Sequence, residues 1–347
     1  MKIYFAGYQT LMLNRGGPTY KIIHLKKKLE EIGVNVQLFN MWDKDLKIGK
    51  NDLVHIFNAS ISTFDLAMNL KPYGAKFVVN PIFFSNHSAK TLRIYQTLEK
   101  PFHKIFKRTY SDYSLTKDIC NASKKVLPNT KAEADLLNLG LGVDKKKIKI
   151  IHNGVEERFL NSDPDLFIKK YGIKDFVLYV GHLGPVRKNG KNIIKALQEI
   201  DHPAIIIADI LHNEEGNWCR KEIEKTKNIL LIEWLKHDDP LLASAYATCK
   251  TFILPTRYET PGRAALEAGL AGANIVITPF GGTKEYFADM VDYVDPHSIN
   301  SIKNGIQNSL NKNKSDHLKE HIKKNFIWKV IAEQTQQMYQ EVLDINI

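Results

Sequence analysis

The feature that most constrains this chain is an alternation, repeated in two series, between short β-branched or aromatic runs and longer stretches with helical spacing. Such alternation predicts βαβ units, in which helices cover a parallel sheet. The first series of predicted strands comprises residues 2–7, 34–39, 52–57 and 76–84. The second comprises residues 175–181, 204–209, 229–235, 251–255, 274–278 and 292–295. The sequence therefore predicts an α/β fold with two Rossmann-like, doubly wound domains.

The chain length agrees with two domains. Its 347 residues exceed the roughly 100–200 that one domain usually holds. Residues 156–174 separate the two series; they are polar, show no strand pattern and are predicted to connect the domains. We predict a first domain over 1–158 and a second over 159–326, with helix from Pro296 onward.

Composition excludes several classes of protein. No run approaches the ~18 consecutive apolar residues that a membrane-spanning helix needs. The amino terminus shows no charged-then-apolar leader, and the three cysteines lie far apart without metal-ligand spacing. A transmembrane protein and a secreted disulfide scaffold are therefore not expected, and a cytoplasmic location is predicted.

The charge is distributed unevenly. Residues 1–150 hold 25 basic and 12 acidic side chains, whereas residues 151–347 hold 24 and 26. A basic half beside a nearly neutral half suggests a polyanion or an anionic surface as partner of the first domain. A lysine-rich surface without a specific partner is the alternative.

Two glutamates, Glu259 and Glu267, stand seven residues apart around a Pro/Gly loop that follows a predicted strand. In an α/β domain ligands bind outside the carboxyl ends of the strands. Carboxylates accept two hydrogen bonds at once, which suits sugar or ribose hydroxyls. The first-turn N–H groups around Gly262–Ala264 are predicted to be available to an anion. A pair of ordinary helix-face glutamates is the alternative.

The stretch LPTRYETPGRAALEAGLAGANIVITPFGGTKEYF (254–287) resembles the signature of family-4 retaining glycosyltransferases. Weaker pieces agree in order along nearly the whole chain: FAGYQTLMLNRGG, VLPNTKAEADLL, IIHNGVEERF, LYVGHLGPVRKN, HDDPLLASAYATC and FIWKVIAEQTQQMY. The resemblance implies the GT-B fold, in which two Rossmann-like domains face each other across a cleft. It also implies that the terminal helix, 327–347, packs back on the first domain.

The resemblance assigns roles to individual residues. Glu267 is expected to hold the ribose of a nucleotide-sugar donor, and Glu259 to contact the hydroxyls of the transferred sugar. Lys188 is expected to bind the diphosphate, for which a point charge is suited. Gly16 and Gly17 are expected to let the backbone approach the donor, although an ordinary loop before a helix is the alternative.

One departure from the family concerns the cations. Family members commonly have arginine six residues before the lysine, where this chain has His182. A neutral histidine supplies one donor and no fixed charge. Arg187 and Arg263 are the nearby cations that could substitute, and Arg263 is hypothesised to replace the missing charge. Trp234 stands where relatives often have glycine, so the pocket for the base is expected to differ.

The segment 90–110 mixes cations with apolar residues and is interrupted by Pro101. Its later part includes Lys104, Lys107 and Arg108. Such a basic amphipathic stretch can lie on an anionic bilayer, contact nucleic-acid phosphates, or simply turn its apolar face to the core. His87, just before it, could lie near the reacting carbon, although a surface histidine is the stronger expectation.

Together these features predict a retaining glycosyltransferase that moves a sugar from a nucleotide-diphosphate sugar, UDP being favoured over GDP, without a metal or other cofactor. A glycan or lipid-linked acceptor at the inner face of a membrane is expected. Two alternatives stay open: a phage-type enzyme that glycosylates modified DNA, and a non-catalytic polyanion-binding protein derived from a transferase.

Overall fold

The structure is a computed structural model that describes residues 2–13, 16–85, 87–105 and 111–344, with backbone only over 100–105. The chain divides into two compact units: unit 1 runs to Gly154 and resumes at Trp328, and unit 2 spans Val155–Ile327. The first boundary lies four residues before the predicted one. Val155 already belongs to unit 2, because its N–H donates to the Phe326 carbonyl oxygen at 2.8 Å.

Unit 1 contains a parallel sheet with the strand order β2-β1-β3-β4-β5. Its elements before the boundary are β1 (Lys2–Ala6), α1 (Gly17–Glu31), β2 (Asn35–Leu38), β3 (Leu53–Phe57), α2 (Ile61–Leu70), β4 (Lys76–Asn80), α3 (Ala89–Ile105), α4 (Asp112–Ala122), β5 (Lys125–Val126) and α5 (Lys131–Asp135). The central strand β3 is buried along its whole length, as expected for a parallel sheet covered on both faces.

Unit 2 contains a second parallel sheet, in the order β11-β10-β9-β6-β7-β8. Its elements are α6 (Asp165–Tyr171), β6 (Val177–Leu183), α7 (Gly190–Gln198), β7 (Ala204–Ile210), α8 (Glu214–Glu224), β8 (Ile229–Glu233), α9 (Pro240–Thr248), β9 (Thr251–Leu254), α10 (Arg263–Leu270), β10 (Asn274–Ile277), α11 (Thr283–Phe287), β11 (Asp292–Tyr293), α12 (Ile299–Asn311) and α13 (Asp316–Phe326). The chain proceeds outward from β6 to β8 and then from β9 to β11, so the strand order reverses between β6 and β9. The prediction of two doubly wound α/β domains is confirmed.

The segment 156–174 is not a linker, contrary to prediction. It contains α6 and belongs to unit 2. Phe159 and Phe167 in this segment are fully buried in the core of unit 2. Two isolated aromatic residues are enough to anchor a stretch whose other residues are polar, because each removes a large apolar surface from water.

The described part of the basic segment, residues 90–105, lies in α3, which continues through Pro101 rather than ending there. Leu92 is buried, whereas Ile94, Tyr95 and Leu98 are exposed. The helix therefore turns one apolar position to the core and leaves others in water. Among the described residues no helix combines the length and apolar character needed to cross a membrane.

The last helix, α14 (Trp328–Leu343), returns to unit 1. The Trp328 ring stacks on His24 of α1, with 5.9 Å between ring centroids. The Tyr339 hydroxyl lies 2.6 Å from Nδ1 of His55 in the central strand. These contacts place both ends of the described chain in the same unit.

Candidate active site

The candidate site lies where the strand order of unit 2 reverses, which is the ligand position in open α/β sheets. A 3₁₀ turn, Val186–Lys188, follows β6, and the loop carrying Glu259 follows β9. Asn189 joins the two loops from a left-handed backbone with φ of +61°. Its buried amide donates to the carbonyl oxygens of Pro255 at 2.8 Å and Pro296 at 2.7 Å. The two loops are thereby held together.

Glu259 is buried and paired with two cations. Lys188 Nζ donates to its Oε1 at 2.8 Å, and Arg187 Nη1 donates to the same oxygen at 3.1 Å. Burial alone would raise the pKa of Glu259, but the charges of Lys188 and Arg187 outweigh it and hold the pKa below its usual value. The carboxylate is therefore ionised at neutral pH, and the three predicted residues form one cluster.

The backbone of Glu259 is clamped by the loop after β10. Its N–H donates to the Phe280 carbonyl oxygen at 3.1 Å, and the Gly282 N–H donates to its carbonyl oxygen at 2.9 Å. Gly281 has φ of +95°, and a Cβ there would stand 2.1 Å from the Glu259 carbonyl oxygen. This close approach requires glycine at position 281, the first of the two glycines that follow the glutamates in sequence.

Glu267 lies on the buried side of α10, the helix that follows the loop carrying Glu259. Its Oε1 accepts a hydrogen bond from Arg263 Nε at 3.2 Å and lies 3.0 Å from His237 Nε2. Its Oε2 accepts a hydrogen bond from the Tyr246 hydroxyl at 3.0 Å. Burial would raise the pKa of Glu267, but the contacts with His237, Arg263 and Tyr246 together hold it below its usual value.

Arg263 was hypothesised to supply charge to a diphosphate, and the structure places its Nε on Glu267, four positions along the same helix. Gly262 precedes the helix with φ of +85°. Among the described residues the Ala264 N–H has no backbone acceptor, as expected for the first turn of a helix. The helix start is therefore open to a ligand oxygen, and the Nε of the guanidinium beside it donates to Glu267.

His182 and Trp234 are brought together at the ends of β6 and β8. Their rings are stacked, with 5.2 Å between centroids and 12° between planes. Asp209, on β7, lies with Oδ2 3.4 Å from His182 Nδ1. Trp234 is 46% exposed. The stacked pair forms a half-exposed aromatic platform at the same sheet edge as the two glutamates.

The other residues that were predicted to contact a ligand belong to unit 1. Gly16 has an extended backbone, with φ of −156°, and a Cβ at Gly17 would meet nothing within 4 Å, so neither position requires glycine for steric reasons. His87 is exposed, and its ring lies 5.5 Å from that of Tyr95. Lys104 belongs to α3, where the structure describes its backbone, whereas Lys107 and Arg108 fall outside the described residues.

Sequence reasoning missed His237 and Tyr246 as partners of Glu267. His237 stands in a polar run, KHDDP, that is typical of a loop. Tyr246 stands among apolar residues of α9 and is fully buried. Both lie on the crossover between β8 and β9, and only the fold shows that this crossover brings them into contact with Glu267 on α10. Their ordinary residue types gave no signal before the fold was known.

The charged site lies where the strand order reverses in one of two parallel-sheet α/β units, and comparisons with known proteins narrow the class of protein. Residues 165–325 match the family described as glycosyl transferases group 1. An uncharacterized glycosyltransferase of Methanocaldococcus jannaschii is 23% identical over 219 residues. That match covers 57% of this chain and 55% of the relative, so it spans about half the length of that protein.

Solved structures show the same fold. A sucrose-phosphate synthase from Thermosynechococcus elongatus gives a TM-score of 0.73 at 15% identity, with all of both chains covered. HepE of Anabaena, solved in complex with UDP-glucose, gives 0.68 at 18% identity, covering 98% of this chain and 100% of HepE. The predicted GT-B fold is thus confirmed, and the comparisons support a glycosyltransferase.

Proposed function

We propose that this protein is a retaining glycosyltransferase of the family-4 type that moves a sugar from a UDP-sugar to an acceptor hydroxyl. The observation that carries the proposal is the pair of buried, ionised carboxylates, Glu259 and Glu267, at the reversal point of the second sheet. Both lie within the residues that match the glycosyl transferases group 1 family. The UDP-glucose complex of HepE supports UDP as the nucleotide.

Glu267 suits the ribose. A carboxylate offers about four lone-pair sites. Its Oε1 takes two protein contacts and its Oε2 takes one, from Tyr246, so Oε2 keeps capacity for a ligand hydroxyl. The exposed Trp234 ring, backed by His182, offers a face on which a base can stack.

Lys188 and Arg187 suit the diphosphate. An ammonium has three donors and a guanidinium has five, so each cation can keep its bond to Glu259 and still donate to phosphate oxygens. They neutralise charge as it develops on the leaving diphosphate, which is the role a metal would otherwise play. We therefore propose that transfer needs no metal, and that the diphosphate itself accepts the proton of the acceptor hydroxyl on the same face.

Unit 1 is proposed to hold the acceptor at an anionic membrane surface. The exposed Ile94, Tyr95 and Leu98 of α3 lie among the exposed cations Lys90 and Arg93. Apolar side chains can enter the headgroup region while each cation adds about 1 kcal/mol of attraction to anionic lipid. A lipid-linked or membrane-associated glycan acceptor follows from this arrangement, and the location would be cytoplasmic and peripheral.

A thermal-shift panel with UDP, GDP, ADP, CMP and dTDP on the wild type and on Glu267→Ala tests the donor. A ligand at 100 times its Kd stabilises the folded state by about 2.7 kcal/mol, which is a measurable rise in melting temperature. UDP is expected to stabilise the wild type most and the variant much less. Preference for GDP would contradict the proposed base, and no shift with any nucleotide would favour the non-catalytic polyanion-binding alternative.

A further inference from the structure

His237 stands between two carboxylates of unit 2. It lies in the loop between β8 and α9, and its side chain is 13% exposed. Its Nε2 is 3.0 Å from Oε1 of Glu267, and its Nδ1 is 3.3 Å from Oε2 of Glu156. Both ring nitrogens therefore lie within reach of a carboxylate oxygen on different elements.

We propose that His237 is a positioning residue, which orients the Glu267 carboxylate so that Oε2 faces the ribose hydroxyls of the donor. The inference rests on the proposed function, because it concerns the same carboxylate. No step of the transfer passes through His237 itself, which acts on the ligand only through Glu267.

The asymmetry of the Glu267 contacts is the first argument. His237 and Arg263 both contact Oε1, whereas Tyr246 is the residue of the described part of the chain that contacts Oε2. Arg263 belongs to the same helix as Glu267 and reaches it through a flexible side chain, so it moves with α10. His237 belongs to a separate loop, and it therefore fixes the carboxylate relative to the rest of the sheet edge.

The anchoring of His237 is the second argument. One carboxylate oxygen of Glu156 lies beside His237 Nδ1, and the other lies 3.4 Å from Arg158 Nε. Arg158 also donates through Nη2 to the backbone carbonyl oxygen of His237. Its guanidinium lies 4.0 Å above the Phe159 ring, and that ring lies 6.1 Å from the imidazole between centroids, in a T-shaped arrangement. Both the backbone and the ring of His237 are thus tied to the segment that begins unit 2.

The chemistry of the ring is the third argument. A neutral imidazole donates through one nitrogen, whereas an imidazolium donates through both. In either form Nε2 can carry a proton and donate to Oε1 of the ionised Glu267, and a hydrogen bond to an ionised acceptor is stronger than one between neutral groups.

Calorimetric titration with UDP and with 2′,3′-dideoxy-UDP tests the proposal, because the two ligands differ only in the hydroxyls that Glu267 would bind. The wild type is expected to bind UDP about 10-fold more tightly or better, as for a hydrogen bond to a charged group. His237→Phe is expected to lose most of this advantage, and His237→Gln, which retains a donor, to keep about half of it on a logarithmic scale. His321→Phe is the matched control, since its ring contacts a backbone carbonyl on α11 instead.

The outcomes separate the inference from the function on which it rests. If the wild type shows no hydroxyl advantage, or Glu267→Ala retains it, the ribose role itself is wrong. If Glu267→Ala loses the advantage but His237→Phe retains it, only the role of His237 is overturned. His237→Ala, which introduces no added bulk, replaces the phenylalanine variant should that one fail to fold, with the same expected loss.

Discussion

Each unit buries a charged side chain, but the two units compensate the buried charge differently. In unit 2 the buried Glu259 is matched by cations, and its pKa is lowered so that it stays ionised. In unit 1 the buried Lys21 of α1 donates instead to a neutral amide, Asn129 Oδ1, at 2.5 Å. Burial lowers the pKa of Lys21 to about 7, with the charge of Glu133 acting in the opposite direction. The buried carboxylate of unit 2 is held in its charged form, whereas burial disfavours the charged form of the buried lysine in unit 1.

The surroundings of Lys21 extend this contrast. Burial, followed by the charge of Lys21, lowers the pKa of His55 far below its usual value. The Asn80 amide donates to Leu127 and to Asn129 Oδ1, while its own Oδ1 has no partner among the described residues. Buried polar groups that lack full compensation destabilise a fold. The incompletely compensated polar groups of unit 1 therefore lower its stability, whereas the charge of Glu259 in unit 2 is compensated by two cations.

The largest expected effect comes from removing the buried lysine of unit 1. Lys21 binds its proton less readily in the folded chain than in the unfolded one, so stability rises as pH increases from about 7 towards the unfolded pKa near 10.5. The penalty is fully present below the folded pKa and amounts to about 5 kcal/mol. Lys21→Met is expected to be more stable than the wild type at pH 7 and to lose this pH dependence.

Urea unfolding at pH 7 and pH 10, followed by circular dichroism, measures the effect of Lys21→Met. Lys27→Met is the matched control, because Lys27 is an exposed lysine of the same helix. His55 does not confound this range, since a histidine with a lowered pKa affects stability only below about pH 6.5. An equal pH dependence in wild type and Lys21→Met would contradict the uncompensated burial of this lysine.

A smaller effect is expected from the clamp on Glu259. Gly281→Ala places a Cβ against the Glu259 carbonyl oxygen at a left-handed backbone, so the loop must shift. Strain of this kind costs about 1–3 kcal/mol. We expect a lower melting temperature for unit 2 and weaker UDP binding. Gly17→Ala in unit 1, where the Cβ meets open space, is the control, and equal losses in both variants would contradict the clamp.

The smallest effect concerns the exposed face of α3. Leu98→Ser is expected to weaken binding to phosphatidylglycerol vesicles about fivefold, since one exposed leucine loses part of the ~1.5–3 kcal/mol that full burial provides. Leu166→Ser, on an exposed position of α6 in unit 2, is the matched control. Cosedimentation measures both. Equal loss in the two variants, or equal binding to phosphatidylcholine vesicles, would contradict docking through unit 1.

The parts of the fold that sequence predicted well are those with continuous apolar runs. The strands of unit 2, such as Ala204–Ile210, lie close to the predicted segments because both faces of the sheet are buried. The segment 156–174 was misjudged because its burial depends on two aromatic residues without periodicity. Helix α3 passes through Pro101, which local sequence rules treat as an interruption.

The residues of the candidate site also divide into those that local sequence predicted and those that it did not. The spacing of Glu259 and Glu267 indicated a candidate site because both follow one strand in sequence. His237 comes from another crossover, and nothing in its local sequence connects it to Glu267. Lys21 stands in KIIHLKKK, where lysines normally face water. Its burial depends on Asn129, more than 100 residues away, and such distant pairs leave no pattern that periodicity can detect.

The pairing of Glu259 with Lys188 and Arg187 has a consequence for selectivity among the anions of a cell. The carboxylate acts as an internal competitor for the two cations. Inorganic phosphate can accept hydrogen bonds from the remaining donors of both cations, but it has no ring hydroxyls that could donate to Glu259. A nucleotide-sugar can satisfy both sides at once. Under the proposed function, the salt bridge therefore favours a nucleotide-sugar over abundant small anions, because only the sugar returns hydrogen bonds to Glu259.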